Sequence, residues 1–309
     1  MRINNKNKSS IFCVLFLLVA LASFSQQDAQ FTQYMYNPVN FNPAYAGSRE
    51  VLSVFGMHRT QWVGLDGAPS TSTVSGHSPI NNSDLGIGVS FVNDRIGPSD
   101  ENTISADISY SVPTSDRYKL AFGLKLTANL LNVDFTKLTQ QPGDSQLEYN
   151  IDNRFSPNIG AGIFWYSDRS YIGLSVPNFL ETKHFDGAKN SASTEKMHYY
   201  LIGGYVFDLT PNIKFKPSVL VKAVQQAPLQ ADFSANFLFS EKLTLGAAYR
   251  WSAAFSAMVG FQITDRLLVG YSYDAENTKL ANYNSGSHEI FLRFELFKNY
   301  DKIISPRFF

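Results

Sequence analysis

The sequence predicts an all-β protein: a transmembrane up-and-down antiparallel β-barrel of about fourteen strands, behind a non-regular amino-terminal segment. Three observations carry that expectation. Apolar and polar residues alternate with a period of two over long segments. The connections between these segments are alternately short and long. The chain is 14% aromatic and only 17% charged, although it opens with an export signal and has no cysteine beyond it.

The export signal comes first. Arg2, Lys6 and Lys8 precede the apolar run IFCVLFLLVALA (11–22), and SFSQQ follows with Ser23 and Ser25 two apart. This predicts a secretory signal peptide over 1–25, cut after Ser25. The run is about twelve residues, short of the roughly twenty that a spanning helix needs. Cys13 lies inside it, so the mature chain is expected to lack disulfides, cysteine nucleophiles and thiolate metal sites. Removing the three basic residues of the signal from 26 leaves 23 against 26 acidic residues. That near-neutral balance gives no reason to expect a nucleic-acid partner. No later stretch approaches eighteen continuous apolar residues, so no helical membrane span is expected.

Residues 26–50 form the second element. QFTQYMYNPVNFNPAYAGS (30–48) holds five aromatics, two Asn-Pro pairs and no charge. It is too aromatic for a free linker and too rich in Asn and Pro for a strand or helix. Phe31, Tyr34, Tyr36, Asn37, Pro38, Asn42, Pro43, Tyr45 and Gly47 read as an ordered segment fixed against a wall. It is expected either as a plug in the lumen or beneath the barrel, available to periplasmic partners.

The strands occupy 51–297. LGIGVSF (85–91) sets Leu85, Ile87, Val89 and Phe91 against Gly86, Gly88 and Ser90. KLAFGLKLTANL (119–130) sets Leu120, Phe122, Leu124 and Leu126 against Lys119, Ala121, Gly123 and Lys125. SHEIFLRFELF (287–297) sets Ile290, Leu292 and Phe294 against Glu289, Phe291, Arg293 and Glu295. Successive strand side chains point to opposite faces, so each segment has one oily and one polar side. Most run nine to twelve residues, where a tilted strand needs about 9–11 to cross a bilayer.

Short turns are expected at 80–84, 113–117, 167–170, 208–212, 240–242 and 264–266. Generally longer connections are expected at 63–69, 94–101, 132–156, 179–196 and 276–285. Outer-membrane barrels alternate in this way, with tight periplasmic turns and longer outer loops. Trp62, Trp165, Phe207, Phe239, Trp251 and Tyr273 sit near strand ends, where rings suit the membrane interface. The oily side then faces outer-membrane lipid. Lys125, Lys216, Lys222, Asp232, Arg250, Glu289 and Arg293 face the lumen, as do Lys119, Lys214, Asp107 and Glu295. Charges of both signs there read as mutual neutralisation that also pins a plug, or as a selectivity lining for solutes. Residues 298–309 remain as a periplasmic tail.

The opening segment resembles the start of mature PorP/SprF-family proteins, outer-membrane proteins of the type IX secretion system in Bacteroidetes. GLSVPNF (173–179), HYYLIGGYVF (198–207), KPSVLVK (216–222), LGAAYR (245–250), VGYSYD (269–274), GSHEIFLRF (286–294) and SPRFF (305–309) fit the same resemblance in order. It implies an outer-membrane location in a Gram-negative bacterium. It also implies an accessory role in secreting and anchoring a large adhesin or gliding-type cargo with a C-terminal sorting domain. Periplasmic and outer-membrane components of that secretion system are implied as partners. The alternative is a plugged outer-membrane channel for a small or hydrophobic solute.

Enzyme chemistry is not expected. His58, His77, His184, His198 and His288 lie in no nucleophile motif, and no G-x-S-x-G elbow occurs. No histidine pair has ligand spacing, and GDSQLEYNIDNR (143–154) does not match a calcium loop. No catalytic residue, metal or cofactor is therefore assigned.

Overall fold

A computed structural model describes residues 31–138, 150–180 and 196–296, apart from Asn82 and Gln226. The expected signal peptide, the tail 298–309 and His184 lie outside these residues. Leu52–Thr60 (β1), Ser70–Pro79 (β2), Leu85–Ile96 (β3), Ser99–Pro113 (β4) and Lys119–Val133 (β5) open the wall. Ile151–Tyr166 (β6), Ser170–Val176 (β7), His198–Tyr205 (β8), Phe207–Thr210 (β9) and Ile213–Val224 (β10) follow. Gln230–Phe239 (β11), Leu243–Arg250 (β12), Ala254–Thr264 (β13), Leu267–Glu276 (β14) and Ser287–Leu296 (β15) complete it.

Neighbours in sequence pair antiparallel, and β1 pairs with β15, with Leu52 opposite Leu296 and Thr60 opposite His288. The sheet therefore closes and has no free lateral edge for hydrocarbon to meet. β8 and β9 both pair with β10 and share one place in the wall, separated at Val206. The fifteen strand segments among the described residues thus make a barrel of fourteen staves.

Burial alternates as the pleat dictates. In β5, Ala121 and Lys125 are buried while Leu124 and Leu126 are 61% and 64% exposed. Val89, Ile108, Ile163, Leu174, Phe233, Leu245, Phe261 and Leu292 are exposed on their strands in the same way. An apolar surface that runs all round a closed sheet is the outer face of a membrane barrel. Rings cluster towards the strand ends: Tyr118 stacks on Trp165 at 4.3 Å, and Tyr249 lies 4.7 Å from Phe255. Trp62 lies past β1 and donates its indole N–H to Glu276 at 3.4 Å.

One expected long connection is not a loop. Residues 94–101 are mostly strand, because β3 and β4 continue to Ile96 and Ser99 and leave only Gly97 and Pro98 between them. β5 and β6 likewise run to Val133 and back from Ile151. At the β3–β4 tip both faces are polar and the alternation that marks a strand is lost, whereas the β5–β6 tip packs Leu131, Val133 and Ile151 with Phe135. Arg95 pairs with Asp100 at 2.9 Å, and Asn93 donates to Asp100 at 2.7 Å, tying the β3–β4 tip together. At the opposite end the turns are tight. Ser240 and Glu241 have φ of 48° and 56°, the left-handed pair that suits the twist of a hairpin.

Candidate functional site

The lumen is occupied by residues 31–49, which are buried apart from the half-buried Asn40. A chain can lie in so enclosed a space only if its backbone polar groups are satisfied. Three successive 3-10 turns, Tyr34–Tyr36, Pro38–Asn40 and Pro43–Tyr45, achieve this. The Phe41 N–H donates to Pro38 O at 3.0 Å and the Ala46 N–H to Pro43 O at 3.1 Å. The two Asn-Pro pairs start two of these turns. Each proline stands at the first turn position, where its fixed φ fits and its missing N–H costs nothing.

The asparagines then do different work. Asn42 accepts the Ala44 N–H at 3.0 Å and donates to Ile163 O on β6 at 2.9 Å, so it caps its own turn and ties it to the wall. Asn37 accepts from the Ser75 hydroxyl of β2 at 2.9 Å.

Each aromatic ring of the segment meets a ring or a polar group. Tyr36 stacks on Phe291 with centroids 4.7 Å apart, and Phe291 continues the stack to Phe55 at 5.3 Å. Phe41 lies between Phe31 at 5.6 Å and Tyr200 at 5.2 Å. Tyr45 stands edge-on to Phe164 at 5.4 Å and to His77 at 5.3 Å. The Tyr34 hydroxyl lies 3.3 Å from Asp232 O and from Ser234 Oγ. Small wall residues let the backbone come close: a methyl group at Gly123 would overlap the Ala44 backbone, and one at Gly162 would overlap the Asn42 amide. Gly47, at φ 75°, approaches Gly86 of β3 and donates its N–H to His77 at 3.2 Å.

The inward charges surround this segment. Arg59 reaches Asp274 at 2.7 Å and Glu289 at 3.1 Å, all three almost wholly buried. Glu289 also accepts the Thr32 and Gln33 N–H groups at 3.1 and 3.0 Å, and the Thr32 hydroxyl donates to Asp274. Lys125 pairs with Asp107 at 2.9 Å and donates to Val39 O at 3.3 Å. Arg250 pairs with Asp232 at 2.6 Å. Arg49 pairs with Glu295, and Arg293 lies 3.7 Å from the same carboxylate. The Lys216 Nζ stands 5.4 Å over the Tyr36 ring, and Lys222 is buried on the same strand.

All seven inward charges and all nine segment residues named from the sequence are therefore buried in the lumen. None of the nine segment residues presents a surface to either mouth in this conformation. Lys119 is in the inward register but sits at the rim, paired with Glu50 at 2.8 Å, and Lys214 faces Glu241 at 3.8 Å there.

Sequence reasoning passed over Arg59, Asp274, Thr32 and Arg49. The period-two pattern of β1 and β14 points Arg59 and Asp274 inward and would have found them. Arg49 and Thr32 lie outside any periodic segment and carry no such signal.

Four of the histidines lie among the described residues, each against a neighbouring polar group or ring. His77 accepts from Gly47, and His288 lies 2.7 Å from the Tyr271 hydroxyl. His58 lies 2.9 Å from Ser72 Oγ, and its other ring nitrogen lies 3.3 Å from Thr60 Oγ1, so hydroxyls occupy both nitrogens. His198 is buried and lies edge-on to Tyr200 at 6.2 Å.

A family model described as type IX secretion system membrane protein PorP/SprF matches residues 23–294. No curated protein matches the chain. Solved structures resemble it at low identity. Omp33, an outer membrane protein of Acinetobacter baumannii, is 10% identical with a TM-score of 0.48, over 80% of this chain and 99% of that one. A Pseudomonas aeruginosa FadL homologue is 12% identical with a TM-score of 0.45, over 90% and 96%. The P. putida toluene transporter TodX is 9% identical with a TM-score of 0.44, over 88% and 95%.

Proposed function

The chain belongs to the PorP/SprF family of type IX secretion system membrane proteins, and from that premise we propose that it is a closed outer-membrane platform. It assists secretion of a large adhesin or gliding-type protein and holds it at the cell surface through the cargo's C-terminal sorting domain. The observation that supports a platform over a conduit is the filled lumen. Residues 31–49 are bound to wall strands on all sides by buried ion pairs, hydrogen bonds and ring contacts. A cargo then has the loops and rims of the barrel to bind, and the lumen serves rigidity. Other components of the secretion system would meet the periplasmic side, where the turns are short.

The test is affinity purification of the full chain from native outer membranes, followed by mass spectrometry. Specific recovery of a large exported protein is expected, and its loss when 132–156 or 179–196 is replaced. Saturable passage of a small solute through the purified barrel in liposomes, with no protein partner recovered, would favour the alternative of a plugged channel.

A further inference from the structure

We propose that the loop-side rim of the barrel binds a calcium ion between Asp94 of β3 and Glu101 of β4, with the Asn129 amide oxygen of β5 as a third ligand. The ion would brace the tips of these strands on the side that meets the medium.

The register sets the site. Asp94 stands directly opposite Glu101, and Thr103, two residues further along β4, stands opposite Asn129. Asp94 and Glu101 lie in the inward phase of the pleat, the phase of the buried Ser90 and Ser105 on the same strands. Asn129 lies in that phase on β5 with Lys125 and Thr127. On the outward face, the last apolar pair is Phe91 opposite Ile104, 40% and 52% exposed. The next outward pair towards the tip is Asn93 opposite Asn102. The two carboxylates are therefore level with polar wall, beyond the last apolar pair and within reach of ions in the medium.

Like charges directly across a strand pair repel, and a shared cation reverses the sign of that interaction. Each carboxylate is also held. The Thr71 hydroxyl of β2 donates to one Asp94 oxygen at 2.5 Å, and the Asn129 amide nitrogen donates to Glu101. That bond lays the Asn129 carboxamide against the Glu101 carboxylate. Asn129 is only 7% exposed, and its Oδ1 is buried with no hydrogen-bond partner among the described residues. A buried acceptor left unsatisfied costs about 1–3 kcal/mol. A cation seated on the carboxylates would satisfy it.

The chemistry of the donors selects the ion. No group of three or more His, Cys, Asp or Glu side chains able to hold a metal occurs among the described residues. This site reaches three protein ligands by adding an amide oxygen to two carboxylates. Calcium accepts such mixed oxygen sets in flexible geometry and completes them with water. Few charged ligands at an outer surface put the expected Kd at about 0.1–1 mM, the range of extracellular calcium modules. Binding here requires neither cargo nor another secretion component, so this inference and the platform reading fail separately.

The test is isothermal titration of calcium chloride into the full chain, refolded in detergent without lipopolysaccharide. Only preparations with heat-modifiable mobility are titrated, so that misfolded chains are excluded. The parent is expected to bind one calcium ion per barrel, and magnesium about ten-fold more weakly because it demands stricter geometry. Asp94→Asn combined with Glu101→Gln should abolish binding. Asp100→Asn, on the outward face of the same tip, should bind as the parent does. Asn129→Asp adds a third carboxylate and should tighten binding about ten-fold, a gain that a folding defect cannot mimic. No uptake by the parent at about ten times the expected Kd would overturn the proposal. So would parent-like binding by D94N/E101Q, loss of binding in D100N, or an N129D affinity no tighter than the parent's.

Discussion

Tyr36 stacks on Phe291 with ring centroids 4.7 Å apart and planes 30° from parallel. The first residue belongs to the aperiodic segment and the second to the last strand, which hydrogen-bonds to the first. The Lys216 Nζ lies 5.4 Å from the same Tyr36 ring and the Arg293 guanidinium 5.9 Å, so one tyrosine joins an aromatic stack to two buried cations. The segment and the closing seam are thereby one packed unit.

Tyr36→Ala should weaken that unit by about 3–5 kcal/mol, the usual cost of removing a buried aromatic ring. Tyr36→Phe keeps the stack and should cost less than about 1.5 kcal/mol. Guanidinium unfolding of the detergent-solubilised barrel, followed by tryptophan fluorescence, measures the difference. Equal midpoints for Y36A and Y36F would show that the stack contributes nothing.

Arg59→Met leaves Asp274 and Glu289 buried without their shared cation and should cost about 3–5 kcal/mol. Adding Asp274→Asn and Glu289→Gln to R59M should recover a large part of that loss, because the uncompensated charge is what destabilises. Hydrogen exchange at Thr32 and Gln33, whose N–H groups donate to Glu289, should rise in R59M. Unchanged exchange there would separate the bridge from the segment.

Gly123→Val and Gly162→Val place a side chain where the Ala44 backbone and the Asn42 amide lie. Neither changes the lipid-facing side, so the barrel should still form while the segment is displaced. Single-barrel conductance in planar bilayers should rise above that of the parent, and trypsin should gain access to Arg49. Parent-like conductance with Arg49 still protected would show that the segment tolerates the added volume.

Leu124→Arg puts a cation on the outer face near mid-wall, where the leucine is 61% exposed. It should cost about 2–4 kcal/mol for folding into a bilayer. Leu138→Arg, on the exposed connection after β5, should be nearly neutral. Folding yield into liposomes across a urea series ranks the two. Equal yields would show that hydrocarbon does not cover Leu124.

Much of the wall was legible residue by residue. Leu124 and Lys125 are assigned to opposite faces by their place in an alternating run, and they lie on opposite faces. The same rule turned Glu289 and Arg293 inward. It missed the tips of β3 and β4, because Asn93, Asp94, Asp100 and Glu101 are polar on both sides and show no alternation. The ordered character of 31–49 was legible from its composition, since rings beside Asn-Pro pairs need a surface to rest on. Its partners were not: nothing near Thr32 in sequence points to Glu289, 257 residues away.

The sequence by itself determined that the wall has about fourteen staves, which side of each is oily, and that the opening segment is neither strand nor linker. Those properties are local, set by the pleat and by the fixed φ of proline. Only the tertiary structure decided that Thr32 lies at the loop end and Arg49 at the turn end, and which charge meets which. These follow from closing β1 onto β15, and the residues that closure brings together share no periodicity along the chain.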